Sequence, residues 1–241
     1  YGNHAVLSAL QNKQRKLHYL ISTKENYMQW EKSIKDFGLK IKIIIKTKEQ
    51  LDIINNFKPH QNVILIVEPL KRISLDEFLI EQQFISKHPL RIIILDQVTD
   101  PQNVGAIIRS AYAFKMDALA LSQTNSPIES IGMSKASSGT IEKLKIIELS
   151  NMSRAIRKLQ DANFHVYGLA NGGYGSVLDL EKEDGNVAVI VGSEGKGLRR
   201  LTREKVDQLL KIPINPDSES LNVSNAASIS MFQLQKNIIK N

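Results

Sequence analysis

The chain has 241 residues, 42% of them apolar, with 32 Lys/Arg against 25 Asp/Glu, a net charge of +7 and no cysteine. That is enough apolar material for one large or two modest cores, and the missing thiols exclude disulfides, thiolate metal sites and cysteine nucleophiles. The longest apolar runs are five or six residues, too short to span a bilayer.

The polar opening Tyr1-Gly2-Asn3-His4 is unlike a signal peptide, so with no cysteine a cytoplasmic address is expected, and a start without Met reads as a trimmed chain. The charge is unevenly placed. Residues 1–72 hold 13 Lys/Arg and 6 Asp/Glu, whereas residues 73–241 hold 19 of each, so the whole excess sits in the first part. A basic module of this kind faces something anionic, nucleic acid before membrane; the bland alternative is a solvated lysine-rich surface.

In chain order, the first module alternates helix and strand: helix Asn3–Leu10, strand Leu17–Ile21, helix Asn26–Phe37 stopped by Gly38, and strand Ile41–Ile45. Thr47 then caps a helix, with Gln50 as the far side of a capping box, and strand Val63–Val67 closes a small α/β unit over residues 1–69. Residues 70–89 are charged, with one capped helix at Ser74–Ile80 and few apolar side chains placed to join a core. They read as a linker that leaves the two units free to move.

The second unit, residues 90–241, begins with Arg91–Leu95, a near-continuous apolar strand of the kind buried in a parallel sheet. Asp100-Pro101 is an N-cap followed by an N1 proline, predicting a helix to Phe114 with Val104, Ile107, Ile108, Ala111 and Phe114 inward. Gly105 and Arg109, four apart, share another face, where glycine admits a close neighbour. Further strands fall at Ala118–Leu121, Leu144–Ile147 and His165–Leu169, with helices around Ser134–Gly139 and over Met152–Ala162 and a glycine-rich turn at Asn171–Gly175. Five or six short strands separated by helices predict an α/β fold with a parallel sheet covered on both faces.

The most informative stretch is Asn186–Phe232. Strand Val187–Val191 opens into Gly192-Ser193-Glu194-Gly195-Lys196-Gly197, and strand Leu210–Ile214 opens into Pro216–Ser220. Strand ends that enter such loops before a helix present backbone N–H groups to a small ligand. The glycine loop is neither a Walker loop nor a dinucleotide fingerprint, and Glu194 within it disfavours a phosphate and favours a cation such as an arginine or a sulfonium. The five scattered histidines have no metal-site spacing, no nucleophile elbow is present, and the solitary Trp30 reads as filler rather than a base-stacking platform.

Three segments in order carry a resemblance: Leu95-Asp96 with Thr99-Asp100-Pro101-Gln102-Asn103-Val104-Gly105-Ala106-Ile107-Ile108-Arg109; Val191–Leu198; and Ile212-Pro213-Ile214 with Ser220-Leu221-Asn222-Val223-Ser224-Asn225-Ala226-Ala227. They resemble the three motifs of the SpoU (TrmH-type) RNA ribose 2′-O-methyltransferases, over about residues 90–235. The opening Tyr1–Leu10 is similar to the start of the L30e-like RNA-binding domain of the bacterial 23S rRNA guanosine 2′-O-methyltransferases. The resemblance implies a SPOUT-type catalytic domain whose C-terminal part forms a trefoil knot, where the pattern alone predicts an ordinary open sheet. It also implies a homodimer that binds S-adenosylmethionine and completes its active site across the subunit interface.

By motif match, Gly192, Ile212 and Leu221 contact the cofactor. Arg109 is the arginine that activates the ribose hydroxyl, surrounded by Asn103, Glu194, Ser220 and Asn222. A guanidinium is a poor base, so Arg109 is expected to stabilise the developing alkoxide, with Glu194 holding it by a paired hydrogen bond. Asn103 has the alternative of being a helix-entry cap. Asn225, Ser228 and the acidic loop Asn215–Glu219 depart from the family pattern and leave the target nucleotide open. The implied substrate is 23S rRNA or a large-subunit assembly intermediate; the alternatives are a tRNA ribose methyltransferase and a non-catalytic RNA-binding assembly factor.

Overall fold

The computed structural model describes residues 1–122 and 131–235; the final residues of the second unit, 236–241, lie outside them. The first unit runs α1 (Asn3–Gln11), β1 (Leu17–Ser22), α2 (Tyr27–Asp36), β2 (Lys42–Ile45), α3 (Lys48–Ile54), β3 (Val63–Val67). Its three strands stand in the order β2-β1-β3, β1 parallel to β2 and antiparallel to β3. Because side chains alternate across a strand, Leu20 and Val63 join Val6, Leu10, Trp30 and Ile34 on one face, while Ile21 and Ile64 join Leu51 on the other. Trp30 is fully buried, as filler should be. The capping box at the start of α3 forms as expected, Thr47 accepting from the Gln50 amide and the Gln50 side chain from the Thr47 amide.

The second unit follows as β4 (Ile73–Ser74), α4 (Leu75–Ile85), β5 (Arg91–Asp96), α5 (Pro101–Ala113), β6 (Ala118–Ser122), α6 (Ile131–Ala136), β7 (Lys145–Leu149), α7 (Met152–Asp161), β8 (Phe164–Leu169), β9 (Gly175–Ser176), β10 (Asn186–Gly192), α8 (Arg200–Lys205), β11 (Gln208–Lys211) and α9 (Val223–Gln235). Among the described residues its sheet has eight strands in the order β4-β7-β6-β5-β10-β8-β11-β9, every neighbouring pair parallel. Helices cover both faces. Ile93, Leu95, Val189 and Val191 pack with residues of α5 and α9, whereas Ile92, Ile94, Ala188 and Ile190 pack with residues of α4 and α7.

Two expectations need correction. Residues 70–89 are more than a linker: Ile73 pairs with Ile147 at the sheet edge, and Leu75 and Phe78 of α4 are buried in the second-face core. The apolar residues of α4 are spread around the helix, with Leu75 and Phe78 buried and Ile80, Phe84 and Ile85 exposed, so no single apolar face marks its burial in the sequence. The strand expected at Leu210–Ile214 lies at Gln208–Lys211 instead, since Pro213 lacks the amide a ladder needs.

The two units also touch. Asn12 donates to Glu142 at 2.8 Å, and Arg15 pairs with the same carboxylate at 3.4 Å, both charged side chains only 4% exposed.

Candidate active site

The carboxyl ends of β8, β10 and β11 open into a cleft of about 520 Å3, within the range of small-molecule sites and at the strand ends where open parallel sheets bind ligands. Leu169 to Gly172 after β8, Gly192 to Leu198 after β10, and Ile212, Ile214 and Glu219 to Asn222 after β11 form its walls, with Val223 and Ala226 of α9 behind. All three expected cofactor residues, Gly192, Ile212 and Leu221, line it, as do Glu194, Ser220 and Asn222.

Gly192 owes its identity to crowding. The loop doubles back through a Ser193–Gly197 bridge, and a Cβ on Gly192 would fall onto the backbone of Gly197 and Leu198. The returning strand of the loop therefore closes against the end of β10, and the cleft is walled by main chain.

Behind this loop sits a carboxylate that sequence reasoning passed over. Asp96, at the end of β5, is fully buried. It accepts from Thr202 Oγ1 at 2.7 Å, from Arg199 Nε at 2.7 Å and from the Arg199 amide at 3.2 Å. It thereby pins the far end of the glycine loop and the start of α8 to the sheet. The signal available in the sequence is a single acid ending a near-continuous apolar strand, within the first of the three family segments.

At the mouth of the cleft three expected site residues meet. Asn103 Nδ2 donates to Glu194 Oε1 at 3.2 Å, and Asn222 Nδ2 donates to that oxygen at 2.6 Å and to Asn103 Oδ1 at 3.0 Å. Asn103 is not the cap of α5. That role belongs to Asp100, whose carboxylate accepts the Gln102 and Asn103 amides, leaving the Asn103 side chain free to cross to Glu194. Asn222 opens α9, its own side chain accepting from the Ser224 amide and hydroxyl. Glu194 is thus held against the first turns of two helices, where the backbone dipole favours a negative charge.

Arg109 is placed elsewhere. It lies six residues beyond Asn103 on α5, about 9 Å further along the helix. It is exposed and does not line the cleft. Within one chain no hydrogen bond joins it to Glu194, whose Oε1 accepts from the two asparagines. Gly105 does admit a close neighbour: a Cβ there would come within 2.5 Å of Ala136 Cβ and 2.8 Å of the Met133 carbonyl oxygen, so α6 packs directly on it. Among the described residues no cluster of three metal-ligating side chains occurs, and no helix is long and apolar enough to cross a membrane.

The donor set fits an adenosine-and-methionine sulfonium ligand. Leu169, Leu198, Leu210, Ile212 and Leu221 offer apolar walls, main chain offers amides and carbonyls, and Glu194 supplies a carboxylate at the rim for a cation.

A parallel sheet covered on both faces, with a main-chain-walled cleft at its strand ends and an asparagine–glutamate cluster at the mouth, defines an α/β protein of the open parallel-sheet class with a small-molecule site. Residues 90–232 match the model of the SpoU rRNA methylase family, and residues 1–72 match that of an RNA 2′-O ribose methyltransferase substrate-binding domain. The chain belongs to the SpoU rRNA methylase family. It is 35% identical over 197 residues to a protein of Staphylococcus epidermidis assigned to the TrmH family of tRNA/rRNA methyltransferases, covering 81% of this chain and 78% of that one. It is 39% identical over 142 residues to the 23S rRNA (guanosine-2′-O-)-methyltransferase RlmB of Xanthomonas campestris, covering 59% and 57% of the two chains. Its fold is that of the SpoU methyltransferase AviRb from Streptomyces viridochromogenes, solved with AdoMet, at a TM-score of 0.82 and 19% identity over 100% of this chain and 89% of that one. An AdoMet-bound rRNA methyltransferase from Sinorhizobium meliloti superposes at a TM-score of 0.81, with 21% identity over 99% and 87% of the two chains.

Proposed function

We propose that this SpoU family member transfers a methyl group from S-adenosylmethionine to the 2′-hydroxyl of a guanosine ribose in 23S rRNA, working as a homodimer. The observation that carries the reading is the Asn103–Glu194–Asn222 cluster closing the mouth of a cleft built for the cofactor. The 39% identity over 142 residues to a 23S rRNA guanosine methyltransferase supports the target, and the basic first unit supports an RNA substrate.

When bound, S-adenosylmethionine supplies an electrophilic methyl on a sulfonium. The chain's task is positioning, which by itself lowers a barrier by several kcal/mol, up to about 7–11 in the best intramolecular cases. Gly192, Ile212 and Leu221 hold the cofactor by main chain and apolar contact, and Glu194 sets a negative charge beside the cationic end of the cleft. Ser220 and the two asparagines offer polar groups to the incoming ribose. Arg109 stabilises the developing negative charge on the 2′-oxygen as its proton passes to solvent water.

Since Arg109 stands away from the cleft of its own chain, the reading places it in the cleft of a second copy. The α5/α9 face supports such pairing: Tyr112 is 42% and Phe232 47% exposed beside Arg109's helix ridge, and Phe114 and Phe232 stack edge to face at 5.9 Å. The C-terminal threading expected of the family, a trefoil knot, belongs to the same proposal.

Labelled methyl transfer to unmodified 23S rRNA and to tRNA, with mapping of the modified ribose, is the test. One methylated guanosine in 23S rRNA is the expected result. Transfer to tRNA alone overturns the target, and silence on both without cofactor binding overturns the enzyme. Arg109→Ala should abolish transfer while leaving cofactor affinity nearly intact; equal loss of both removes Arg109 from catalysis.

A further inference from the structure

The loop between α3 and β3 holds its backbone in an unusual state. Asn56, Phe57, Gln61 and Asn62 all have positive φ, of 50°, 57°, 52° and 60°. Asn56 is explained by the end of α3: its amide bonds the Ile53 carbonyl and the Phe57 amide bonds the Asp52 carbonyl at 2.7 Å, the pattern of a left-handed helix stop, in which asparagine is tolerated. Phe57 has no such reason. A bulky side chain at positive φ is an outlier with an energetic cost, and the inward apolar contact that usually accompanies this kind of helix end is not made, because Phe57 is 78% exposed.

The conformation is built in. Asn55, 4% exposed, donates to the Lys58 carbonyl at 2.8 Å, and His60, 3% exposed, bonds Asp52 through Nε2 at 2.9 Å and accepts the Asn62 amide at Nδ1 at 3.0 Å. Two buried polar side chains thus fix a loop whose aromatic ring faces solvent.

The surroundings name the partner. Ser22 pairs with both Ile45 and Val63, so the chain leaving β1, the chain leaving β2 and the chain entering β3 all emerge at one end of the small sheet. Those three loops carry Lys24, Lys46 and Lys58, the last next to Phe57 in the chain, against Glu25. A rigidly held aromatic among cations is how proteins take an unpaired base: the ring stacks on its face while ammonium groups meet the flanking phosphates.

We infer that Phe57, with Lys58 beside it, is a stacking platform for an unpaired base of the substrate RNA, set at the end of the first unit's sheet. This rests on the RNA methyltransferase reading above and adds where single-stranded substrate is gripped.

The full chain tests it with a short single-stranded oligoribonucleotide and the duplex made from it. Phe57→Ala is expected to weaken single-strand binding by about 5- to 150-fold, the range of one base stack, with cofactor affinity and the salt slope unchanged. Lys58→Ala lowers that slope by about 1. In Phe57→Trp, indole emission is quenched by the single strand and not by the duplex, over the constant background of buried Trp30. Phe57→Asn, suited to left-handed backbone, keeps or raises the unfolding midpoint while losing the single strand, a split that a purely structural residue would not give.

Wild-type affinity in Phe57→Ala overturns the proposal, as does a change of oligomeric state with RNA affinity intact, which makes the ring a protein contact. Failure of the underlying reading is seen separately, as a wild-type chain that transfers no methyl group to any RNA, because stacking is read by fluorescence without turnover.

Discussion

Asp96 is a carboxylate taken wholly out of water and given back three side-chain donors and one amide, from Arg199 and Thr202. Removing Asp96 leaves the buried Thr202 hydroxyl and the Arg199 amide without their acceptor, while the Arg199 guanidinium, 43% exposed, turns to solvent. Asp96→Ala should therefore cost about 3 kcal/mol of stability, from the donors left unpaired, and loosen the glycine loop enough to weaken cofactor binding. Thr202→Val, which removes one neutral donor, should cost about 1–2 kcal/mol. Urea unfolding and equilibrium dialysis of the cofactor check both; equal effects of the two substitutions would deny Asp96 its anchoring role. A second residue-scale case is Tyr167, 5% exposed, stacked on His165 and donating to Glu183 at 2.5 Å. Burial first, then the hydrogen bond to Glu183 and its charge, push the phenol well above its ordinary value. The unfolded chain loses that proton near pH 10 while the folded chain keeps it, so the stabilisation is complete below about pH 10 and is lost as pH rises beyond it. The unfolding midpoint should fall above that pH more steeply in the native chain than in Tyr167→Phe. Parallel curves would show that Tyr167 is not the group concerned.

At the scale of elements, what the sequence makes legible is what local chemistry enforces. Asp100-Pro101 starts α5, Thr47 with Gln50 starts α3 and Ser74 with Glu77 starts α4, each by hydrogen bonds formed within four residues. What stays hidden depends on distant partners. Strands β4 and β9 have two residues each, too few for a period, and exist because β7 and β11 offer them an edge. The site cluster joins residues 91, 119 and 28 positions apart, so only the family resemblance brought Asn103, Glu194 and Asn222 together, and the hydrogen bonds the two asparagines give Glu194 were not foreseen. Helix α4 offers the sharpest test, since its sequence reads as linker and its packing as core. Phe78 is fully buried against the sheet, and Phe78→Ala should destabilise the chain by about 3–5 kcal/mol, the usual cost of truncating a core phenylalanine. An effect under about 1 kcal/mol, the scale of a surface change, would return residues 70–89 to linker status.

At the scale of the whole molecule, the question is whether the RNA-facing unit and the cofactor-binding unit act as one body. Their basic and catalytic surfaces serve one substrate only if the distance between them is held. Glu142 is the joint: it receives Asn12 at 2.8 Å and Arg15 at 3.4 Å, with both charged side chains almost fully enclosed, and Gly139 sits so close to Ser8 and His4 that a Cβ would strike them. A pair this deeply buried contributes little net stability when intact and costs about 3–5 kcal/mol when one charge is removed. The native chain should accordingly melt in a single calorimetric transition. Glu142→Ala, which takes from Arg15 its carboxylate at 3.4 Å, should lower the midpoint and split the transition in two as the units uncouple. None of Asn12, Arg15 and Glu142 lines the cofactor cleft, so cofactor affinity should survive, whereas methyl transfer to RNA should fall, because positioning across the two units is lost. A single, unshifted transition in Glu142→Ala would mean that contacts other than this pair hold the units together. Unchanged transfer with a split transition would mean that substrate is gripped by the catalytic unit alone.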